Sequence, residues 1–181
     1  MKIFFFIDRI KNKIIRYWRK KVFKEMIDCN HENFKLVGKV NIINRNIKIG
    51  NGCIIYPDVT FFGDGLITIG DNVSIGQGCI IYSSKNNGGI SIGDNTLIGA
   101  YSYIIDSDHG IAKNQLIRQQ KNTVLKVIIG NDCWIGTGCK ILKGSIINDG
   151  AIIGASSLVK SKIQSNTISV GIPVKFLKDR I

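Results

Sequence analysis

Residues 69–80 read Ile69-Gly70-Asp71-Asn72-Val73-Ser74-Ile75-Gly76-Gln77-Gly78-Cys79-Ile80, two consecutive copies of one six-residue unit. An aliphatic residue opens each copy and a glycine follows it. Asn, Asp or Gly fills the next two places, and a small residue comes fifth. Outward from this stretch the unit recurs at Ile49-Gly50-Asn51-Gly52-Cys53-Ile54, Ile92-Gly93-Asp94-Asn95-Thr96-Leu97 and Ile98-Gly99-Ala100-Tyr101-Ser102-Tyr103. After an interruption it resumes at Ile129-Gly130-Asn131-Asp132-Cys133-Trp134 and Ile135-Gly136-Thr137-Gly138-Cys139-Lys140, then runs through Ile141, Ile147, Ile153 and Val159. Self-similarity at a short fixed period is the mark of a solenoid.

The unit has a physical logic. The aliphatic residue points inward, and a small residue follows where the backbone bends. Asn, Asp and Gly tolerate positive φ in the turn. The fifth residue points inward again. Three units make a triangular coil of about 18 residues, and coils stack about 4.8 Å apart. Each coil buries its inner face only against a neighbour, so stability comes mostly from nearest-neighbour stacking. Apolar residues every six positions match no helical period, and so many glycines would be costly in helices.

This pattern, [Ile/Val/Leu]-Gly-x-x-small-x, resembles the hexapeptide-repeat acyltransferases, over about three quarters of the chain. The resemblance implies an all-β fold: a left-handed parallel β-helix of hexapeptide repeats, with an N-terminal amphipathic helix and a short C-terminal helix. Three parts are expected: 1–36, a basic helix and connector; 37–170, the β-helix, with a catalytic loop at about 105–128; and 171–181, the tail. The tail, Gly171-Ile172-Pro173-Val174-Lys175, resembles the family's closing Gly-x-Pro segment.

The largest break in the repeat opens with Ile105-Asp106-Ser107-Asp108-His109-Gly110 and carries Lys113, Arg118, Lys121 and Lys126 with no acid after Asp108. Long excursions from a compact fold are usually functional. Neutral imidazole is a suitable base for a hydroxyl near pH 7. Of two histidines, only His109 lies in this loop, where the family keeps its catalytic histidine. The resemblance therefore implies an acetyl-CoA-dependent O-acetyltransferase in which His109 deprotonates an acceptor hydroxyl for direct attack on the thioester. Asp106 or Asp108 either orients the imidazole or caps the loop. His31, in a polar connector, reads as a surface residue without a role.

Donor contacts follow from the resemblance to the sugar and xenobiotic acetyltransferase branch, carried by Asn131-Asp132-Cys133-Trp134-Ile135-Gly136. There the segment after Trp-Ile-Gly flanks the pantetheine arm, which gives Trp134 and Thr137. A small residue one coil later gives Ala155, 18 positions on and hence stacked upon Thr137. The family's Thr-Lys pair is here Lys160-Ser161, with the hydroxyl and charge exchanged. Lys175 and Lys178 stand where basic residues meet the nucleotide phosphates. An Asn that holds the sugar in galactoside-type relatives is missing from Ile75-Gly76-Gln77-Gly78, so a different acceptor is expected. The short break Tyr82–Gly89 reads either as an acceptor-facing loop or as a solvent loop.

Composition narrows the classes of function. The formal charge of +12 calls for anionic partners. No aromatic-studded basic sheet or groove-reading helix is visible, so nucleic acid is not expected. The five cysteines include no CxxC pair, and Cys53, Cys79, Cys133 and Cys139 fall at the inward fifth place, as small core residues. Two histidines are too few for the three zinc ligands of a γ-type carbonic anhydrase, and no metal is expected. Near the N-terminus, Phe4, Ile7, Ile10, Ile14, Ile15, Trp18 and Val22 recur at helical spacing among Lys11, Lys13, Arg16, Arg19, Lys20, Lys21 and Lys24. Such a helix either caps the first coil or docks on an anionic membrane. The apolar start precedes the charges, the reverse of a secretory signal, so the protein reads as cytoplasmic, with peripheral contact at the inner membrane face as the membrane option. The acceptor is then expected to be a sugar of a surface polysaccharide or its lipid-linked precursor. The alternatives are an antibiotic acceptor of streptogramin or chloramphenicol type and a noncatalytic β-helix scaffold. Outward positions at or near Ile55, Tyr56, Ile80, Tyr101, Tyr103 and Trp134 predict a homotrimer with sites between subunits.

Overall fold

The structure, a computed structural model, describes residues 2–27, Cys29, His31 and 33–181, with side chains from Phe6 onward. Met1, Asp28, Asn30, Glu32 and the side chain of Phe4 lie outside that description. Helix α1 (Lys2–Met26) leads into a left-handed parallel β-helix with three flat faces. The first face carries eight strands and the second and third six each. Cys53–Ile55, Thr60–Gly63 and Ile67–Ile69 make one complete coil, each strand on a different face.

The hexad's opening residues stack in three columns. Ile55, Ile75, Ile98, Ile135 and Ile153 pair in register down the first face. Phe61, Ile81, Ile104, Ile141 and Val159 do so on the second. Ile69, Ile92, Ile129, Ile147 and Ile163 do so on the third. All of these are buried, and each such aliphatic side chain contributes about 1.5–3 kcal/mol. The fourth place takes positive φ as the turn chemistry requires: Asn72 at 57° and Asn95 at 58° tolerate it, and Gly52 and Gly150 adopt 72° and 70°.

The fifth place is inward too, and it is more than filler. Sγ of Cys53 donates to Gly70 O at 3.1 Å, and Sγ of Cys79 to Gly99 O at 3.1 Å. Cys133 and Cys139 bond Asn148 O and Gly154 O. Thr96 and Ser102 make the same bond to Gly130 O and Gly136 O with hydroxyls. A small donor at this place thus satisfies a carbonyl of the next coil. Burial pushes all four thiols above their ordinary value, Cys79 to about 11.

Four expectations need correction. Phe34–Leu36 already pairs with Cys53–Ile55, so the first rung precedes the boundary at Val37; it lacks the hexad glycine that marks the repeat elsewhere. Ile55 points inward and is fully buried. His31 is half-buried: its Nε2 donates to Ile49 O at 2.8 Å and its ring meets Phe34 edge-on. The tail is a strand, not a helix. Lys175–Asp179 runs antiparallel to Thr167–Val170, and Arg180 fixes it by an ion pair to Asp132 at 2.8 Å. The last parallel strand would otherwise present a row of unpaired N–H and C=O groups, and the tail covers that edge.

At the other end, Phe23 of α1 and Ile27 just after it close the mouth of the first coil, Phe23 against Phe34 and Phe61 at 5.3 and 6.4 Å between ring centres. Capping by this end of the helix is therefore real. Phe6, Ile7, Ile10, Ile14, Trp18 and Val22 nevertheless stay exposed. Among the described residues no helix is long and apolar enough to cross a membrane.

Candidate active site

The repeat is not equally regular around the prism. Equivalent positions of successive coils lie 18 residues apart where the coil is plain, but 20, 23 and 37 apart in three others. Every large excess falls at one edge, where the chain passes from the second face to the third. There Gly63–Leu66, Ser84–Gly89 and Asp106–Lys126 stack on one another. The two breaks that stand apart in the sequence thus share one edge.

Asp106 ties them together. Its carboxylate is fully buried. Oδ2 accepts from Ser83 Oγ at 3.0 Å, Ser84 N at 3.1 Å and Gly89 N at 2.7 Å, and Oδ1 accepts from Ser84 N at 2.9 Å. Ser84 Oγ also bonds Ser107 Oγ at 2.9 Å. Asp108 takes another role. It is exposed and pairs with Lys143 at 3.1 Å, and the same ammonium donates to Thr123 Oγ1. Among the described residues, neither carboxylate bonds His109. Asp106 thus bonds the loop backbone, and Asp108 is held by Lys143.

The insertion is an ordered arm. Ser107–Asp108 pairs antiparallel with Thr123–Val124 at its base. Gln120 stitches its interior, bonding Ala112 N at 2.7 Å, Ala112 O at 2.9 Å and Gln115 O at 2.9 Å. Gly110 is buried beneath that side chain, where a Cβ would lie 2.6 Å from the Cβ of Gln120. This fixes the backbone beside His109 and leaves the imidazole exposed at the root of the arm. Lys113, Arg118, Lys121 and Lys126 are exposed along it. Its tip is apolar: Ile111 is 91% exposed, and Leu116 and Ile117 are also bare.

The residues expected to meet the donor fall into three places. Thr137 and Ala155 stack at the edge between the first and second faces, with Ser156 N donating to Thr137 O at 2.8 Å. Contact is close there: a Cβ on Gly136 would lie 2.5 Å from Ala155 N. Trp134 projects from the first face, in register with Leu97 and Ile152, and that row ends at Lys178, which pairs with Ile168. Lys175 pairs with Val170, which packs on Gly154, at the foot of the Thr137–Ala155 edge. Lys160 and Ser161 lie one edge away, on the side of the insertion. Within one chain, His109 and the Thr137–Ala155 column therefore occupy different edges of the prism.

The sequence places two aromatic features only as an outward position, Tyr101, and as the start of a loop, Tyr82. Tyr101 holds φ at 59°, costly for a bulky residue, and is 64% exposed with its ring over Gly78 on the same edge as Thr137. Its signal was a tyrosine at a hexad place that wants Asn, Asp or Gly. Phe62 and Tyr82 pair on the second face, ring centres 4.9 Å apart, in register with Ile105 at the base of the insertion. Among the described residues no group of three or more His, Cys, Asp or Glu is placed to hold a metal.

Comparison with known proteins gives a consistent picture. The family of bacterial transferase hexapeptide (six repeats) matches residues 126–161, and the hexapeptide repeat of succinyl-transferase matches 66–104 and 89–112. The chain is 33% identical over 125 residues to a putative lipopolysaccharide biosynthesis O-acetyl transferase, WbbJ, of Escherichia coli strain K12. That match covers 65% of this chain and 62% of the relative, so the chain spans less than two thirds of it. It is 30% identical over 157 residues to the dTDP-4-amino-4,6-dideoxy-D-glucose acyltransferase of Escherichia coli, covering 82% and 80% of the two chains. A mutant of AntD, an N-acyltransferase from Bacillus cereus in complex with dTDP-4-amino-4,6-dideoxyglucose and coenzyme A, superposes with a TM-score of 0.68 at 25% identity, over 82% of this chain and 86% of that one.

Proposed function

The chain belongs to the hexapeptide-repeat acyltransferase family, and from that premise we propose that it transfers acetyl from acetyl-CoA to a sugar hydroxyl of a surface-polysaccharide precursor. His109 takes the proton of the acceptor hydroxyl. The oxygen attacks the thioester carbonyl, the tetrahedral oxyanion collapses, and the C–S bond breaks. The proton held by the imidazole passes to the leaving thiolate. Backbone N–H groups stabilise the oxyanion. No acyl-enzyme is formed, and none of the four core cysteines takes part, since burial keeps each a protonated thiol.

One observation carries this reading: His109 stands exposed at the root of an ordered arm, on the edge where three loops stack. The outward Phe62–Tyr82 pair beside it offers an apolar surface on which a sugar ring can rest. The basic side chains of the arm suit a diphosphate-linked acceptor.

The donor site is assigned to Trp134, Thr137, Ala155, Lys175 and Lys178, with Lys160 and Ser161 across the prism. Because His109 lies on another edge, the working site joins two subunits of a homotrimer. Bare apolar groups support this: Leu97, Tyr101, Ile128 and Trp134 on the prism, and Ile111, Leu116 and Ile117 on the arm. The arm's tip would reach the neighbouring prism.

The test is acetyl transfer followed by mass spectrometry over nucleotide sugars, lipid-linked oligosaccharides, streptogramins and chloramphenicol. His109→Ala is expected to lower turnover by roughly 10²–10⁴-fold with acetyl-CoA affinity retained. Near-normal turnover of that variant on the true acceptor removes the assignment. A second reading is N-acylation of a 4-amino sugar nucleotide, favoured by the long match to the dTDP-amino-sugar acyltransferase. An amide rather than an ester product would select it. Sedimentation of an active monomer would refute the shared site.

A further inference from the structure

Among the described residues, helix α1 is buried against the β-helix near its end. Phe23 and Ile27 are buried in the mouth of the first coil, and the ammonium of Lys20 lies 5.1 Å from the centre of the Phe34 ring. Before that point the helix keeps a second apolar stripe that the chain does not cover. Ile7, Ile10, Ile14, Trp18 and Val22 recur every three or four residues, so they share one side. Their exposures are 56%, 45%, 53%, 58% and 49%. The stripe runs into an apolar groove of about 350 Å³, whose other wall is Leu36, Val40 and Ile42 of the first coil. Arg9, Lys13, Arg16 and Lys20 recur at the same spacing on the opposite side. Over Lys2–Met26 there are nine Lys or Arg against Asp8 and Glu25.

We infer that this stripe docks the protein on an anionic phospholipid bilayer, with the helix lying in the plane of the surface. Two features select that occupant. The stripe offers apolar side chains with Tyr17 and Trp18, aromatic residues suited to the headgroup level, for shallow burial. Lys11 and Lys21 flank the stripe, Arg9, Lys13 and Arg16 lie within one helix diameter of it, and an anionic leaflet supplies negative charge and an apolar layer together. A second copy of the helix would bring Lys11 and Lys21, which lie beside the stripe at helical spacing from Ile7 and Trp18, against their counterparts. Nucleic acid would take the charge and leave the stripe in water. At 1.5 Å per residue the helix is about 37 Å long, enough to anchor one end of the prism. The inference stands on the helix alone and does not depend on the acetyl-transfer chemistry.

The experiment is flotation of the full chain with vesicles of phosphatidylcholine, alone or with about 30% phosphatidylglycerol. Wild type is compared with Ile7→Glu/Ile14→Glu/Trp18→Glu, three changes at exposed sites, and with Arg9→Glu/Lys13→Glu/Arg16→Glu. Circular dichroism melts check that both remain folded, and either variant alone suffices if the other does not. Wild type is expected to float with the anionic vesicles, and each variant to bind at least about tenfold more weakly. Raising salt from roughly 0.05 to 0.5 M is expected to release wild type several-fold. No flotation of wild type, or equal flotation of a folded variant, overturns the inference. If wild type does not float and the apolar-stripe variant loses oligomeric mass on sedimentation, the stripe covers a second copy instead.

Discussion

Replacing Asp106 tests whether the candidate site is organised as described. In Asp106→Ala, Ser84 N and Gly89 N lose their acceptor inside a buried site, while Ser83 Oγ keeps Leu66 O at 3.2 Å. At about 1 kcal/mol for each of these two donors left without a partner, the cost is about 2 kcal/mol. For a chain of this size that lowers the melting temperature by roughly 4–8 °C. Asp106→Asn makes a sharper comparison. With its amide oxygen at the Oδ2 position, Asn keeps the bonds from Ser83, Ser84 and Gly89, while its amide nitrogen replaces the acceptor at Oδ1 and faces Ser84 N. The expected cost is about 1 kcal/mol, for the lost charge assistance. Urea denaturation at fixed protein concentration gives both numbers. Limited proteolysis shows whether cleavage in Ser84–Gly89 rises for Ala and not for Asn. An Ala variant within about 1 kcal/mol of wild type, or an Asn variant as costly as Ala, would refute the proposed anchor.

The fifth-place thiols predict an alkaline weakness. Cys79 is held protonated by burial up to about 11, against an ordinary 9.0. Below pH 9.0 folded and unfolded chains both carry the proton, so the thiol adds no pH dependence. Above it the unfolded chain loses the proton first, and stability falls toward pH 11 by up to about 3 kcal/mol. Cys79→Ser keeps a donor for Gly99 O, as Ser102 does for Gly136 O, so it should cost about 1 kcal/mol at neutral pH and flatten the alkaline slope. Identical slopes between pH 9 and 11 would show that the thiol does not carry it. Two glycines of one hexad, on either side of Thr137, should behave differently. Gly136→Ala puts a Cβ 2.5 Å from Ala155 N and 2.8 Å from Ile153 O, so adjacent coils must separate and soluble expression should collapse. Gly138→Ala meets nothing nearer than Ser156 Oγ at 3.5 Å and bears only the strain of φ 71°, about 1 kcal/mol by thermal melt. Equal tolerance at the two sites would contradict the stacking.

Much of this protein was legible in its hexads because they report a local quantity: which way each side chain points, and where the backbone must take positive φ. Ile75, Cys79 and Asn72 announce their places without knowledge of any other coil. The same signal located the arm with His109, since a break in a strict period is itself local, and it stacked Thr137 on Ala155 through a plain coil of 18 residues. What the period could not convey was contact across the loops, where the spacing varies. Asp106 finds its donors 17 to 23 positions back, at Ser83, Ser84 and Gly89, and only the tertiary structure turns it from an orienting candidate into an anchor. The tail reads helical by family habit and becomes a strand because the edge of Thr167–Val170 needs partners. In α1, periodicity shows an apolar side but not its fate. Whether Ile14 and Trp18 are covered depends on how far the helix overhangs the first coil, and that is fixed by Phe23 and Ile27 entering a mouth formed by residues of two later strands. Side-chain direction is set by the chain's own geometry, whereas neighbours across loops and ends are set by which surfaces remain uncovered after the coils have stacked.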